Sequence, residues 1–204
     1  MRDSSGWRLT YSSKRPNRME FERKERIVWD RGNRQCSRER RSMNSRLFMP
    51  QSFRVAAIPT KVAELVRSTM RSPGYGHPAH VEVATGYGPC RHCLRDFQVG
   101  KDRRILFTYD PFHGLEPLPL PGPIFIHKDS CERFPEAACF PADLRSHRLT
   151  VVAYGDGRRL IAEEYVDNGE VEPLITRLLE QVEVKYLHVR DTEAGCYDLR
   201  IERE

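Results

Sequence analysis

The sequence predicts an α+β fold: an antiparallel sheet built from hairpins, with two or three helices packed against it. Three observations predict it. Predicted elements follow the order strand, helix, several hairpins, helix, hairpin. Gly155-Asp156-Gly157 separates two apolar runs, and glycine permits the positive φ angles of a tight hairpin turn. Two stretches, near 61–71 and from Val171 to Leu179, repeat apolar residues at helical spacing.

Order is expected to begin at Phe53-Arg54-Val55-Ala56-Ala57-Ile58, a short strand closed by Pro59. Thr60 offers an N-cap hydroxyl, and Val62, Leu65, Val66 and Met70 form the stripe of a helix that Ser72-Pro73-Gly74 ends. From Pro73 to Pro89 the glycines and prolines predict a loop, whose His77, His80 and Tyr87 are candidates for lining a pocket. Arg104 to Tyr109 and Ile124 to Ile126 read as strands joined by the proline-rich segment 111–123. Leu149 to Tyr154 and Arg159 to Glu164 make one hairpin. Asn168 is placed to cap a helix carrying Val171, Leu174, Ile175, Leu178 and Leu179 on one face. Val184 to Arg190 and Cys196 to Glu202 make a second hairpin across Asp191 to Gly195.

Charge divides the chain. Residues 1–50 hold 14 Lys or Arg against 6 Asp or Glu, a net of +8, while residues 51–204 carry a net of −3. The first segment is rich in Arg and Ser and poor in apolar periodicity, so it is expected to be a disordered basic tail. Its Arg38-Glu39-Arg40-Arg41 cluster suits phosphates, which makes nucleic acid a partner candidate for the tail. A plainer reading takes residues 1–48 as lying upstream of a true start at Met43 or Met49. Residues 51–204 are expected to form a single α+β domain, whose acidic balance disfavours nucleic acid. No apolar stretch reaches the roughly 18 residues of a membrane span, and no secretory signal is apparent. A soluble cytoplasmic protein is the expectation, and its partner is unknown.

Cysteine carries the most specific signal. Cys90 and Cys93 stand in Pro89-Cys90-Arg91-His92-Cys93, and His127 and Cys131 follow in Ile126-His127-Lys128-Asp129-Ser130-Cys131. Zinc takes four sulfur and nitrogen ligands in a tetrahedron, commonly as a close knuckle pair plus a second pair from elsewhere. A helical turn at 127–131 would put the second pair on one face, an arrangement similar to a treble-clef finger. The gap of 33 residues is long. Closing it instead of a 15-residue loop adds only about 0.7 kcal/mol, against apparent zinc affinities of roughly 10–16 kcal/mol. Four protein ligands leave no open position, so such an ion is structural. The plain alternative makes Cys93 and Cys131 small buried hydrophobes. A redox Cys-x-x-Cys needs its first thiol at the start of a long helix, and Gly100 arrives too soon.

A thiol-dependent enzyme is the competing class, with Cys196 as nucleophile and His188 as base. Tyr186, His188 and Arg190 share a strand face, but the face of Cys196 depends on a register that the sequence leaves open.

Residues 53–203 resemble a bacterial family known as domain of unknown function 1203. The resemblance rests on Tyr87-Gly88-Pro89-Cys90-Arg91, Gly122-Pro123-Ile124-Phe125-Ile126, Tyr186-Leu187-His188-Val189, Ala194-Gly195-Cys196-Tyr197 and Arg200-Ile201-Glu202-Arg203. It implies a compact domain and supplies no activity. Many relatives look like Cys-Arg-x-Ser at the knuckle and carry Arg where His127 stands, so the resemblance implies that zinc is not a requirement of the fold, and that the quartet is either an elaboration within one branch or a coincidence. Cys90 and Cys196 fit the general pattern better, which keeps a second site of Cys90, Arg91, His188 and Cys196 in view.

Overall fold

The computed structural model describes residues 52–86, 88–136, 139–167 and 169–204. The expected tail, Tyr87 and the Asn168 cap lie outside the described residues.

Among the described residues, eight strands and two α-helices build an α+β fold of two antiparallel sheets. Strands β1 (Phe53–Ala56), β5 (Leu149–Tyr154), β6 (Leu160–Val166), β7 (Tyr186–Asp191) and β8 (Tyr197–Arg203) form the larger sheet, in the order β1-β8-β7-β5-β6. Strands β2 (His80–Val83), β3 (Arg103–Tyr109) and β4 (Gly122–His127) form the smaller one in sequence order. The sequence pattern suggested one sheet, because hairpins reveal only which neighbours pair and not where one sheet stops.

Each sheet has its own helix. α2 (Val171–Leu179) buries its whole predicted stripe, Val171, Leu174, Ile175, Leu178 and Leu179, against Leu149, Val151, Leu187, Val189, Leu199 and Ile201 of the larger sheet. Burying one such side chain contributes about 1.5–3 kcal/mol before entropy is counted. β5 is buried along its full length. Its Val152 and Tyr154 face away from α2 and join Phe112 and Tyr186 in a second, aromatic cluster. α1 (Thr60–Thr69) packs Ala63 and Val66 against Ile105, Phe107, Ile124 and Ile126 of the smaller sheet, and Cys90, Cys93 and Tyr197 complete that core.

Three local expectations change. The α1 N-cap position is Pro59, with no side-chain cap bond, and Thr60 is the first helical residue. Its Oγ1 instead lies 3.1 Å from His92 Nε2. β2 falls inside the segment read as loop: its alternation, Val81 and Val83 between His80 and Glu82, is only four residues long and is flanked by glycines and prolines, and pairing with β3 supplies the ladder bonds that hold it. Residues 128–136 make no helical turn. The second pair of candidate ligands therefore comes from a strand end and an irregular segment, unlike a treble clef.

Candidate metal centre

Cys90 and Cys93 sit on a tight turn that Pro89 and Asp96 close as an antiparallel bridge. The Cys90 N–H donates to Arg95 O (2.9 Å), and the Leu94 N–H donates to Cys90 O (2.7 Å). Closing the turn this tightly puts Leu94 at φ 53°, a left-handed conformation costing a side-chain-bearing residue roughly 1–2 kcal/mol. Burial of the Leu94 side chain in the larger core offsets that cost. The turn is stitched on both sides: the Arg91 N–H donates to Phe125 O of β4 (3.0 Å), and the Ile58 N–H donates to Arg91 O (3.0 Å).

His127 is the last residue of β4, paired with Arg104. Cys131 is carried by the segment after it, which Arg133 anchors by donating from Nη2 to Ala57 O (2.7 Å) and from Nε to Ile58 O (3.0 Å). The Phe134 N–H adds a bond to His92 O (2.9 Å).

These elements bring one donor atom from each of Cys90, Cys93, His127 and Cys131 within 4.8 Å of one another. Cys90 Sγ and Cys131 Sγ are 3.9 Å apart, and Cys93 Sγ and His127 Nδ1 are 3.4 Å apart. A zinc tetrahedron with Zn–S of about 2.3 Å and Zn–N of about 2.05 Å has S–S edges of about 3.8 Å and S–N edges of about 3.6 Å. Both observed edges agree with that figure to about 0.2 Å. The cluster can hold a metal ion.

The surroundings suit one. His127 Nε2 lies 3.3 Å from Asp102 Oδ2, so the carboxylate fixes the ring and leaves Nδ1 facing the sulfurs. Asp102 Oδ2 also accepts the Gln98 N–H at 2.7 Å. That backbone bond is the main reason its carboxyl is held below the usual range, with burial opposing and His127 assisting. Around Cys131, Arg67 donates from Nη2 to Sγ (3.2 Å) and from Nε to His127 O (3.1 Å), while His92 Nδ1 lies 3.2 Å from the same sulfur. Arg95 adds positive charge beside Cys93.

Two of the sulfurs are pushed in opposite directions by their surroundings. Burial, with the neighbouring sulfurs, pushes the Cys90 thiol well up. Cys131 moves far down, stabilised first by Cys90 and Cys93 and then by His127 and His92, against the effect of burial. Burial alone would lower His127, but its contacts with Cys131 and Cys93 outweigh that and raise it to about 10. A site that concentrates thiolate and imidazole this closely has the donor chemistry of zinc rather than of magnesium or calcium.

The alternative catalytic residues do not converge. His188 is fully buried, ringed by Phe112, Tyr154, Tyr186 and Tyr197 at centroid distances of 4.7–5.3 Å. Neither of its ring nitrogens has a hydrogen-bond partner, so it touches neither Cys196 nor Cys90 as a base would. Burial, helped by Arg190 and Arg200, pulls it down to about 3. Burial likewise raises Cys196, whose Sγ donates to Ala194 O at 3.7 Å. Both shifts favour the neutral forms, the opposite of a thiolate–imidazolium pair. Arg91 is a structural tie: Nε donates to Tyr197 O (2.9 Å) and Nη1 to Pro89 O (2.8 Å), and Nη2 lies 2.8 Å from Asp198 Oδ1. His77 Nε2 is engaged with Thr108 Oγ1 at 2.7 Å, and His80 stands exposed on β2.

Sequence reasoning missed Asp102, Arg67 and the supporting role of His92. His92 lies inside the knuckle, where the Cys-x-x-Cys spacing assigns it no role, and the other two carry no spacing signal because they approach from β3's entry loop and from α1.

The sequence profile described as a protein of unknown function, DUF1203, matches residues 87–203. The chain belongs to the DUF1203 family. The matched region contains all four cluster residues as well as Arg91, His188 and Cys196. No curated protein and no solved structure matches the chain. In this DUF1203 domain no helix among the described residues is long and apolar enough to cross a membrane.

Proposed function

We propose that Cys90, Cys93, His127 and Cys131 hold one structural zinc ion, and that the domain it steadies is a soluble cytoplasmic interaction module. The agreement of the S–S and S–N edges with a zinc tetrahedron carries this reading. Four protein donors fill the coordination shell, so the ion leaves no position for substrate. Its supply is cohesion: it ties the knuckle, the end of β4 and segment 128–136 into one unit. Function then has to be sought on the domain's surfaces. The thiol-enzyme alternative lacks support, because the unpartnered imidazole of His188 faces aromatic rings rather than a thiol.

Elemental mass spectrometry of the full chain, purified without chelator, tests the proposal. One zinc per chain that disappears in Cys93→Ser supports it, and a metal-free parent protein refutes it. Cobalt substitution adds an independent readout, since three thiolates give a strong sulfur-to-metal band.

The charge of residues 1–50 favours a second, separable reading, a nucleic-acid tether. Deleting residues 1–48 then abolishes salt-sensitive binding to DNA or RNA. Unchanged binding overturns that reading.

A further inference from the structure

The three sulfurs of the cluster are not equivalent. Cys90 and Cys93 are buried, at 0% and 3% exposure, whereas Cys131 is partly open to solvent. Cys131 Sγ also accepts from the Arg67 guanidinium at 3.2 Å and lies 3.2 Å from His92 Nδ1. A cationic donor and an imidazole beside an accessible sulfur favour attack by that sulfur on an electrophile, and they stabilise the anionic oxygen it would acquire. Cys196, which is also partly exposed, points its S–H at a carbonyl oxygen, which has the opposite effect.

We propose that Cys131 is a site of reversible oxidation by hydroperoxides, with Cys90 as its resolving thiol. The Cys131 thiolate attacks one peroxide oxygen, the O–O bond breaks, and the departing hydroxide leaves as water once protonated, so Cys131 becomes a sulfenic acid. The Cys90 sulfur then attacks Cys131 Sγ, the S–O bond breaks, and the Cys90 proton leaves with the hydroxide as a second water. Two sulfurs are oxidised by two electrons in all, and the peroxide accepts both.

Geometry selects the pair. The two sulfurs start 3.9 Å apart and must close to the roughly 2.0 Å of a disulfide. Cys90 is fixed by its turn and the segment carrying Cys131 is anchored at Arg133 and Phe134, so rotation of the Cys131 side chain about its Cα–Cβ bond has to supply most of the shift. Cys93, by contrast, faces His127 Nδ1. Given the zinc reading proposed above, the disulfide removes two of four ligands, and Cys93 and His127 alone do not retain the ion. The cluster then acts as a peroxide-responsive latch on segment 128–136.

The experiment uses the full chain, with metal content measured first and hydrogen peroxide as the oxidant. Peptide mapping is expected to find one Cys90–Cys131 disulfide per chain, one ion released with it, and both reversed by dithiothreitol plus zinc. Dimedone added with the peroxide should trap the sulfenic acid on Cys131 of the unmodified protein, a readout independent of whether a variant folds. Cys196→Ser should leave the outcome unchanged. Oxidation of Cys196 or Cys139 ahead of Cys131, or a disulfide between another pair, overturns the proposal. A metal-free protein that still forms the Cys90–Cys131 disulfide sinks the zinc reading alone, and a zinc-loaded protein whose Cys131 resists peroxide sinks the oxidation site alone.

Discussion

Replacing Arg91 with Met should destabilise the domain by an amount that grows with pH. Asp198 is fully buried; burial pushes its carboxyl up to about 6, against the lowering effect of Arg91. With an unfolded value near 3.8, this group contributes its full stability below about pH 3.8 and loses it as pH rises to about 6. Without Arg91 the carboxyl stays protonated to still higher pH, so the folded variant keeps losing stability, at about 1.36 kcal/mol per unit, where the parent has levelled off. The extra penalty is therefore near zero at about pH 5.5 and grows above about pH 6 by at most about 1.4 kcal/mol per pH unit, until Asp198 ionises in the variant as well. A pH-independent part adds to it, because the carbonyls of Tyr197 and Pro89 lose their bonds to Arg91, at about 1–1.5 kcal/mol each. Urea unfolding across that pH range measures both parts, and Asp198→Asn in the same background should remove the slope and leave the constant part. A penalty that stays flat between about pH 5.5 and 8 would refute the argument that Asp198 titrates against Arg91.

Three further outcomes are expected. Asp102→Asn should weaken zinc binding about 10–100-fold in chelator competition, by releasing the ring of His127, whereas Asp129→Asn should leave it unchanged. His188→Leu should raise stability by about 1–2 kcal/mol in urea unfolding, since it removes two buried nitrogens that have no partner; a loss of more than about 1 kcal/mol would show that the imidazole's ring contacts dominate. Leu178→Ala, in the buried stripe of α2, should cost about 2–5 kcal/mol at constant zinc content; a smaller cost would mean that the site collapses around the missing atoms.

Much of the fold was legible because its signals are local. The stripe of α2 repeats at helical spacing and is buried as predicted. The two C-terminal hairpins announce themselves through Gly157 and Gly195, which adopt φ angles of 64° and 68°. β2 was not legible, because a four-residue edge strand gains its stability from β3 rather than from its own composition. Thr60 looked like a helix cap for sound local reasons, yet its hydroxyl serves His92, thirty-two residues away. His188 is the sharpest case of this kind. It packs beside Tyr186, and the tertiary fold sets it among aromatic rings, where its nitrogens have no partner.

By itself, the sequence determined the α+β class, the hairpin pairs, the α2 face and the identity of the four clustered side chains. These rest on periodicity, turn chemistry and ligand type, which a chain carries in neighbouring residues. Only the tertiary structure decided that the strands divide into two sheets, that Cys131 arrives on an irregular segment, and that Asp102, Arg67 and His92 surround the cluster. Those features arise from contacts between residues far apart in the chain, where spacing carries no information and burial and hydrogen bonding select the partners.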